Sequence, residues 1–213
     1  MTIRLINPCD ENCHTWLRGN LHTHSTLSDG NLAIQDTIDA YADMHYDFLM
    51  LSDHDVFNDT ARLRNRGMTL IPGNEITAGG VHLLHVNAEK HIEPLPDRQT
   101  VIDHINKGPG FAVINHPNWE KDFNHCPQSV LEKLNGYTGI EIYNGVCLFA
   151  EGCPLATDRW DMLLSRGRRI WGYGNDDNHA DGHRGLVWNM AQSPSREAAD
   201  VVAALRTGRF YVS

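Results

Sequence analysis

Short apolar runs rich in β-branched residues alternate along the chain with longer stretches whose apolar positions recur at helical spacing, the pattern of repeated strand-helix units. The runs at 19–24, 48–54, 69–77, 81–87, 111–116, 139–144 and 169–177 predict strands. Helices are predicted between most of them. The segment 31–45 carries Ile34, Ile38 and Tyr41 on one stripe, and 97–107 carries Val101 and Ile105 and is closed by Gly108. The segments 127–135 and 155–166 end at Gly136 and Gly167, and 194–207 has Pro194 at its first turn and Gly208 just past its end. Strand starts recur at the spacing of βα units, which suits a β/α barrel or a doubly wound sheet. No Gly-x-Gly-x-x-Gly follows the first strand; His22-x-His24 does. That favours an α/β barrel in a single domain, where function gathers at the carboxyl ends of the strands.

A chain of 213 residues buries roughly 70% of its extended surface, enough for one sizeable core. With 41% hydrophobic and 21% charged residues it reads as globular rather than disordered. No apolar run approaches the ~18 residues of a membrane helix, and 1–16 is interrupted by Asn7, Pro8, Asp10, Glu11 and Asn12, so no membrane span or secretory core is expected and the cytoplasm is the default address. A net charge of -9 disfavours a diffuse basic surface for nucleic acid, yet leaves room for a local cationic site supplied by metal ions. The 5 cysteines, odd in number and without paired spacing, read as reduced thiols; Cys9-x3-Cys13-His14 lacks the second half of a zinc site. What changes the picture is the presence of 13 histidines, since imidazole is the commonest metal ligand.

Nearly every predicted strand finishes in an imidazole or a carboxylate: His22 and His24, Asp53 and His54, Glu75, His116, then Asp177 and His179, while the fourth strand carries His82 and His85. Residues i and i+2 share a face of a strand, so His22 pairs with His24 and Asp177 with His179, leaving Asp176 to face outward. The four-residue link 77–80 is too short for a crossover helix and predicts a hairpin. A two-residue turn at Ala78-Gly79 sets Glu75 opposite His82, one at Gly79-Gly80 keeps both on one face, and a three-residue loop selects His85 instead. Asp29, in Ser28-Asp29-Gly30, reads either as a turn or helix-capping residue or, beside the His pair, as a ligand. His14, His45, His91, His104, His125 and His183 fall on helices or loops off the rim, with His125 and His183 kept as candidates for substrate contact.

The motifs Leu21-His22-Thr23-His24-Ser25 with Ser28-Asp29-Gly30, Ser52-Asp53-His54-Asp55, Gly73-Asn74-Glu75, Asn115-His116-Pro117 and Asp177-Asn178-His179 resemble, in order, those of the PHP (polymerase and histidinol phosphatase) superfamily from about residue 18 to 180. The resemblance implies a distorted (β/α)7 barrel with two or three divalent ions, Zn, Fe or Mn. By the same resemblance His22, His24 and Asp177 hold one ion, Glu75 bridges to a second held also by His82 and His116, and Asp29, His54 and His179 hold a third. It also implies phosphoesterase activity. The chain has no room for the cap segment of the larger phosphoesterases, so its pocket is either open or completed by another subunit. The ending 207–213 reads as a strand cut short, as in members that continue into another module.

Imidazole and carboxylate without thiolate suit Zn, Fe or Mn at a catalytic rather than a structural site. The chemistry expected is hydrolysis of a small phosphate ester or nucleotide, with a hydroxide bridging two ions at Glu75 attacking phosphorus in line. Glu75 and Asp177 are the candidate catalytic carboxylates. Leaving-group protonation falls to His183, His125 or a water. Asp53 and Asp55 are candidates either to accept from ligand imidazoles or to cap loops. Arg184, Arg18 and Lys121 are candidate phosphate partners, and an extended nucleic acid ranks below a small ester. A hydrolase of another bond, such as an amide, or a metal-stabilised domain supporting a partner are the alternatives.

Overall fold

The computed structural model describes residues 7–9 and 13–213, so the interrupted segment 1–16 lies partly outside it. In chain order the elements are β1 (Trp16–Asn20), α1 (Ile34–Asp43), β2 (Phe48–Met50), β3 (Thr69–Ile71), β4 (Gly73–Ile76), β5 (Leu83–Val86), α2 (Arg98–Ile105) and β6 (Phe111–Ile114). There follow α3 (Gln128–Lys133), β7 (Gly139–Asn144), a 3-10 turn (Val146–Leu148), α4 (Thr157–Ser165), β8 (Trp171–Asn175), β9 (Asn189–Gln192), α5 (Ala198–Thr207) and β10 (Phe210–Val212). All five helices lie within predicted segments. Gly208 ends α5 in the left-handed conformation at φ 81°, as its position requires, whereas Pro194 precedes the helix, which starts only after Glu197.

The strands form two five-stranded mixed sheets, β10-β9-β1-β2-β3 and β4-β5-β6-β7-β8. This corrects the expected (β/α)7 barrel, since no closed barrel exists among the described residues. Closure fails at two seams, between the edge strands β8 and β10 and within the predicted strand 69–77. Pro72, which has no N–H to give a ladder, separates β3 in the first sheet from β4 in the second. Two antiparallel arrangements add to the departure: β4 and β6 both run antiparallel to β5, and β9 runs antiparallel to β1 and β10. Strand β9, Asn-Met-Ala-Gln, has too little apolar alternation to be read from the sequence.

One apolar cluster fills the space between the sheets. It joins Leu17, Phe48, Met50 and Ile71 of the first to Leu84, Val86, Phe111, Val113 and Tyr173 of the second, with Val201, Ala204 and Leu205 of α5. A second cluster packs α2, α3 and α4 on the outer face of the second sheet, and a third packs Ile38 and Tyr41 of α1 on the first. Beyond the ladders the sheets touch through single parallel bridges, Thr23 to Asn178 and His54 to Glu75. Both bridges lie at strand ends that carry the histidines. Among the described residues no helix is long and apolar enough to cross a membrane.

Candidate metal centre

The chain just past β1 is held by hydrogen bonds that fix two imidazoles on one side. His22 N donates to Asn20 Oδ1 at 3.0 Å and His24 N to Asn178 O at 2.9 Å, and Asp177 N returns a bond to His22 O at 3.0 Å. The rings of His22 and His24 lie 5.1 Å apart. Asp177 adopts φ 54° and His116 φ 24°, left-handed values that cost a non-glycine residue energy and collect at functional sites.

The hairpin settles which fourth-strand histidine joins them. Glu75 pairs with Leu84, the register of a turn at Gly79-Gly80, although the ladder stops at Ile76 and Leu83. His82 therefore shares the face of Glu75 and reaches it, Nδ1 to Oε1 3.1 Å, while His85 lies opposite Asn74 and faces away.

Around Glu75 and Asp177 the donor atoms crowd together. His22 Nε2 and His24 Nε2 each lie 3.1 Å from Asp177 Oδ1, and 3.4 and 3.5 Å from Glu75 Oε2. His54 Nδ1 is 2.8 Å from Glu75 Oε2 and His116 Nε2 is 3.4 Å from Glu75 Oε1. Asp29 Oδ2 stands 3.5 Å from His54 Nε2 and its Oδ1 3.3 Å from His179 Nε2. The candidate ligands thus gather into groups whose donor atoms all lie within 4.8 Å of one another: His22, His24 and Asp177; His22, Glu75 and His116; and His24, Asp29, His54 and His179. Donors at about 2.1 Å from one ion in a tetrahedron lie about 3.4 Å from each other, so these separations are the edges of a coordination shell.

Their hydrogen bonding supports the same fit. His22 Nε2, His24 Nε2, His54 Nδ1, Glu75 Oε2, His82 Nδ1, His116 Nδ1 and Asp177 Oδ1 are buried yet make no hydrogen bond. Buried polar atoms are ordinarily satisfied, so a set left open at one place calls for a cation. Without one, protons substitute. Burial resists a charge on His22, but Asp177, Glu141 and Glu75 outweigh it and raise its pKa well above the usual imidazole value. Burial likewise pushes Glu75 and Asp177 up, and the surrounding imidazoles, His22 foremost, more than reverse this and hold both carboxyls well below their usual range.

Glu141 was not singled out in the sequence. It is buried in β7 and accepts four hydrogen bonds, from His22 Nδ1 (2.8 Å), His116 N, Asn144 Nδ2 and Asn175 Nδ2 (2.9 Å each). An ionised carboxylate only accepts, so His22 keeps a proton on Nδ1, and its Nε2, beside Asp177, is the nitrogen left to take a second proton or to face an ion. The available signal was an acidic residue within an apolar strand, Gly-Ile-Glu-Ile-Tyr-Asn. His125, expected off the rim, lies within the group of His82 and His116. Both of its nitrogens are engaged: Nε2 accepts from His82 N and Nδ1 lies 3.1 Å from Glu120 Oε1. Burial, then the neighbouring His116 and His82, lowers its pKa to about 4.

Other candidates are placed elsewhere. Asp53 accepts from Ser25 and Ser28, and Asp55 from Thr77 and the Ala78 N–H, so both organise loops rather than imidazoles. Asp176 faces away from the ligand group, as expected, and is buried there, accepting from Tyr41 Oη and the amides of Gly185, Leu186 and Val187. Arg18 lies over the rings of Tyr46 and Trp188 at 4.1 and 4.0 Å, and Arg184 pairs with Asp181 at 2.6 Å. His183 stacks on Phe149 and its Nδ1 accepts from His179 N at 3.4 Å. Cys9 and Cys13 are free thiols outside every such group among the described residues. A cavity of about 270 Å³ opens on the centre, lined by Asp29, His54, Glu75, His82, His116, Asp177 and His179 on one side and by Trp119, Val146, Cys147 and Ala150 on the other.

Comparison with known proteins adds the fold's relatives. No protein-family model and no curated protein matches the chain. Among solved structures, a two-domain protein from Bacteroides vulgatus containing a predicted PHP-like metal-dependent phosphoesterase superposes over 100% of this chain and 69% of its own, with a TM-score of 0.71 and 18% identity. The chain shares its fold with that protein. PsfC from Pseudomonas syringae matches over 93% of this chain and 91% of its own at 0.66 and 14% identity. An amidohydrolase from Chromobacterium violaceum with bound sulfate matches over 91% and 97% at 0.59 and 17%. Likeness at these identities speaks to the PHP-like fold alone, so the chemistry rests on the donor set.

Proposed function

We propose that this chain is a metal-dependent hydrolase acting on a small phosphate ester. The observation that carries the reading is the convergence of buried, unbonded imidazole and carboxylate donors on Glu75 and Asp177. All-nitrogen-and-oxygen donor sets suit Zn, Fe or Mn, two or three ions being held by His22, His24 and Asp177, by Glu75, His82 and His116, and by Asp29, His54 and His179. Bound ions would polarise phosphoryl oxygens and lower the pKa of a water to about 7. The chain's own residues do the remaining work. Glu75 spans the groups, with His54 against Oε2 and His82 against Oε1. Glu141 and Asn144 hold His22 and Asp177 in place, and His183 is assigned to contact the leaving group. Among the described residues neither Lys nor Arg lines the cavity, so ester charge falls to the ions, which supports a small ester over a nucleic-acid strand. The two sheets share one apolar core, which supports reading the described residues as one domain.

The test is elemental analysis of purified protein with a screen of phosphate monoesters and diesters against each restored ion. The sulfate-bound amidohydrolase neighbour makes simple amides the second panel. Glu75→Gln is expected to fold and abolish turnover. A Glu75→Gln protein that retains full turnover refutes the role given to this carboxylate, and metal-free protein with full activity refutes the reading as a whole.

A further inference from the structure

Directly after β7 the chain turns into a lip over the candidate metal centre. Asn144 fastens it there: its Nδ2 donates to Asp177 Oδ2 at 3.1 Å while its Oδ1 accepts from Cys147 N at 3.3 Å. Gly145 approaches so closely that a Cβ would lie 2.8 Å from Asp176 O. The lip's position is therefore set by the same side chains that order the ligands.

Its chemistry is one-sided. Val146, Cys147 and Ala150 face the cavity opposite the imidazoles, whereas Leu148 and Phe149 stand out of the fold at 48% and 63% exposure. The Phe149 ring stacks on His183 at 5.0 Å and 13°, joining the lip to the loop after β8 that carries His179. Trp119 completes the apolar wall, its ring edge-on to His116. These side chains offer a sugar or polyol hydroxyl almost nothing to bond, so burying one there leaves polar groups unpaired. An apolar cavity of 150 Å³ accommodates benzene, so about 270 Å³ takes a phosphoryl group and one ring of that size.

We propose that the apolar wall formed by Val146, Cys147 and Ala150 of the lip, with Trp119, selects phosphate monoesters whose alcohol carries a compact aromatic or branched apolar group. This rests on the phosphoesterase reading and names its substrate class. In the reaction a water oxygen forms the new bond to phosphorus, the ester P–O bond breaks, and the apolar alcohol leaves with a proton of that water.

The experiment uses the full chain loaded with its metal. Benzyl phosphate and ethyl phosphate share an alkoxide leaving group and differ in the group that would meet the lip; benzylphosphonate and methylphosphonate report binding by calorimetry without turnover. Benzyl is expected to exceed ethyl by about tenfold in kcat/KM, carried mainly by KM, and benzylphosphonate to bind about tenfold more tightly than methylphosphonate. Val146→Ser, at a half-buried position that lines the cavity, is expected to collapse both ratios, and Val146→Ile to retain them. Ratios near one in the wild type, ratios indifferent to Val146→Ser, or no binding of either phosphonate would overturn the inference. Preferential binding of benzylphosphonate without turnover of either ester overturns the phosphoesterase reading and upholds the lip; turnover of both esters at equal efficiency does the reverse.

Discussion

Glu141→Gln preserves shape and changes a single property, the ability to accept on both oxygens. Oε1 receives His22 Nδ1 and Asn175 Nδ2, and Oε2 receives His116 N and Asn144 Nδ2, all at 2.8–2.9 Å and all without water access. A glutamine must place its NH2 against one of these pairs. At Oε2 it orphans two buried N–H groups, each costing about 1–3 kcal/mol, or about 2–6 kcal/mol together. At Oε1 it orphans Asn175 and forces the His22 proton onto Nε2, the nitrogen 3.1 Å from Asp177 and 3.4 Å from Glu75, which then has no lone pair for an ion. For a chain of this size each kcal/mol moves the midpoint about 2–4 °C, so two orphaned donors should lower the metal-free Tm by about 4–24 °C. Metal affinity should fall about 10–100-fold, as for other carboxylates behind a ligand histidine. Thermal unfolding with and without added Mn or Zn, alongside competition with a chromogenic chelator, reads both quantities. A variant within about 1 °C of wild type and with unchanged affinity refutes the argument that this carboxylate sets the His22 tautomer.

Burial resists a charge on His54, but the adjacent Asp29 and Glu75 more than offset it and raise its pKa to about 10. That stabilisation of metal-free protein is full below the unfolded value of about 6.5 and is lost as pH climbs toward 10. Ion binding needs neutral imidazole, so the Tm difference between loaded and metal-free protein should widen across this interval; a constant or shrinking gap contradicts the assignment. His85 behaves oppositely, burial holding its pKa at about 4, so its contribution is present above about 6.5 and disappears as pH falls toward 4. His85→Leu should therefore unfold less readily in acid and keep its full metal content, whereas His82→Ala should lose metal; the converse pattern in elemental analysis would exchange their roles. Asp29 is 56% exposed at its side chain while Glu75 is fully buried, so Asp29→Asn should release one ion on gel filtration and retain the rest. Simultaneous loss of all metal would show that the outer site is not separable.

Local period accounts for how much of this centre was legible. Alternation within a strand is a short-range property, so pairing His22 with His24 and choosing His82 over His85 needed only a two-residue rule and one turn. Glu141 obeys that rule too, yet an acidic residue inside an apolar strand has no chemical signature until Asn144, Asn175 and the His116 amide surround it. Asp176 obeys it as well, facing away from Asp177, but alternation alone does not say that this other side is covered by Tyr41 and three loop amides. The barrel failed at two seams, one at Pro72, where periodicity continues while hydrogen-bonded pairing does not, and one between the edge strands β8 and β10.

An open pair of sheets can nevertheless gather the same donors that a closed barrel would. What convergence requires is that β1, β2 and the β6 to β8 group end at one rim, and parallel pairing within each sheet ensures it. The two sheets meet at that rim through Thr23 to Asn178 and His54 to Glu75, single bridges flanked by His22, His24 and Asp177, each of which keeps one buried donor atom without a hydrogen bond. Beneath lies a shared apolar core, which denies those donors water and raises the cost of leaving them unpaired. Ion binding should then act as a fastening between the sheets, not merely as an addition to a finished fold. Hydrogen exchange checks this: amides at 21–24, 52–54 and 175–178 should gain protection on metal addition, while those of β6, which hydrogen-bonds to neighbours on both sides, should change little. Uniform protection across both sheets would mean that the ion stabilises the chain only globally.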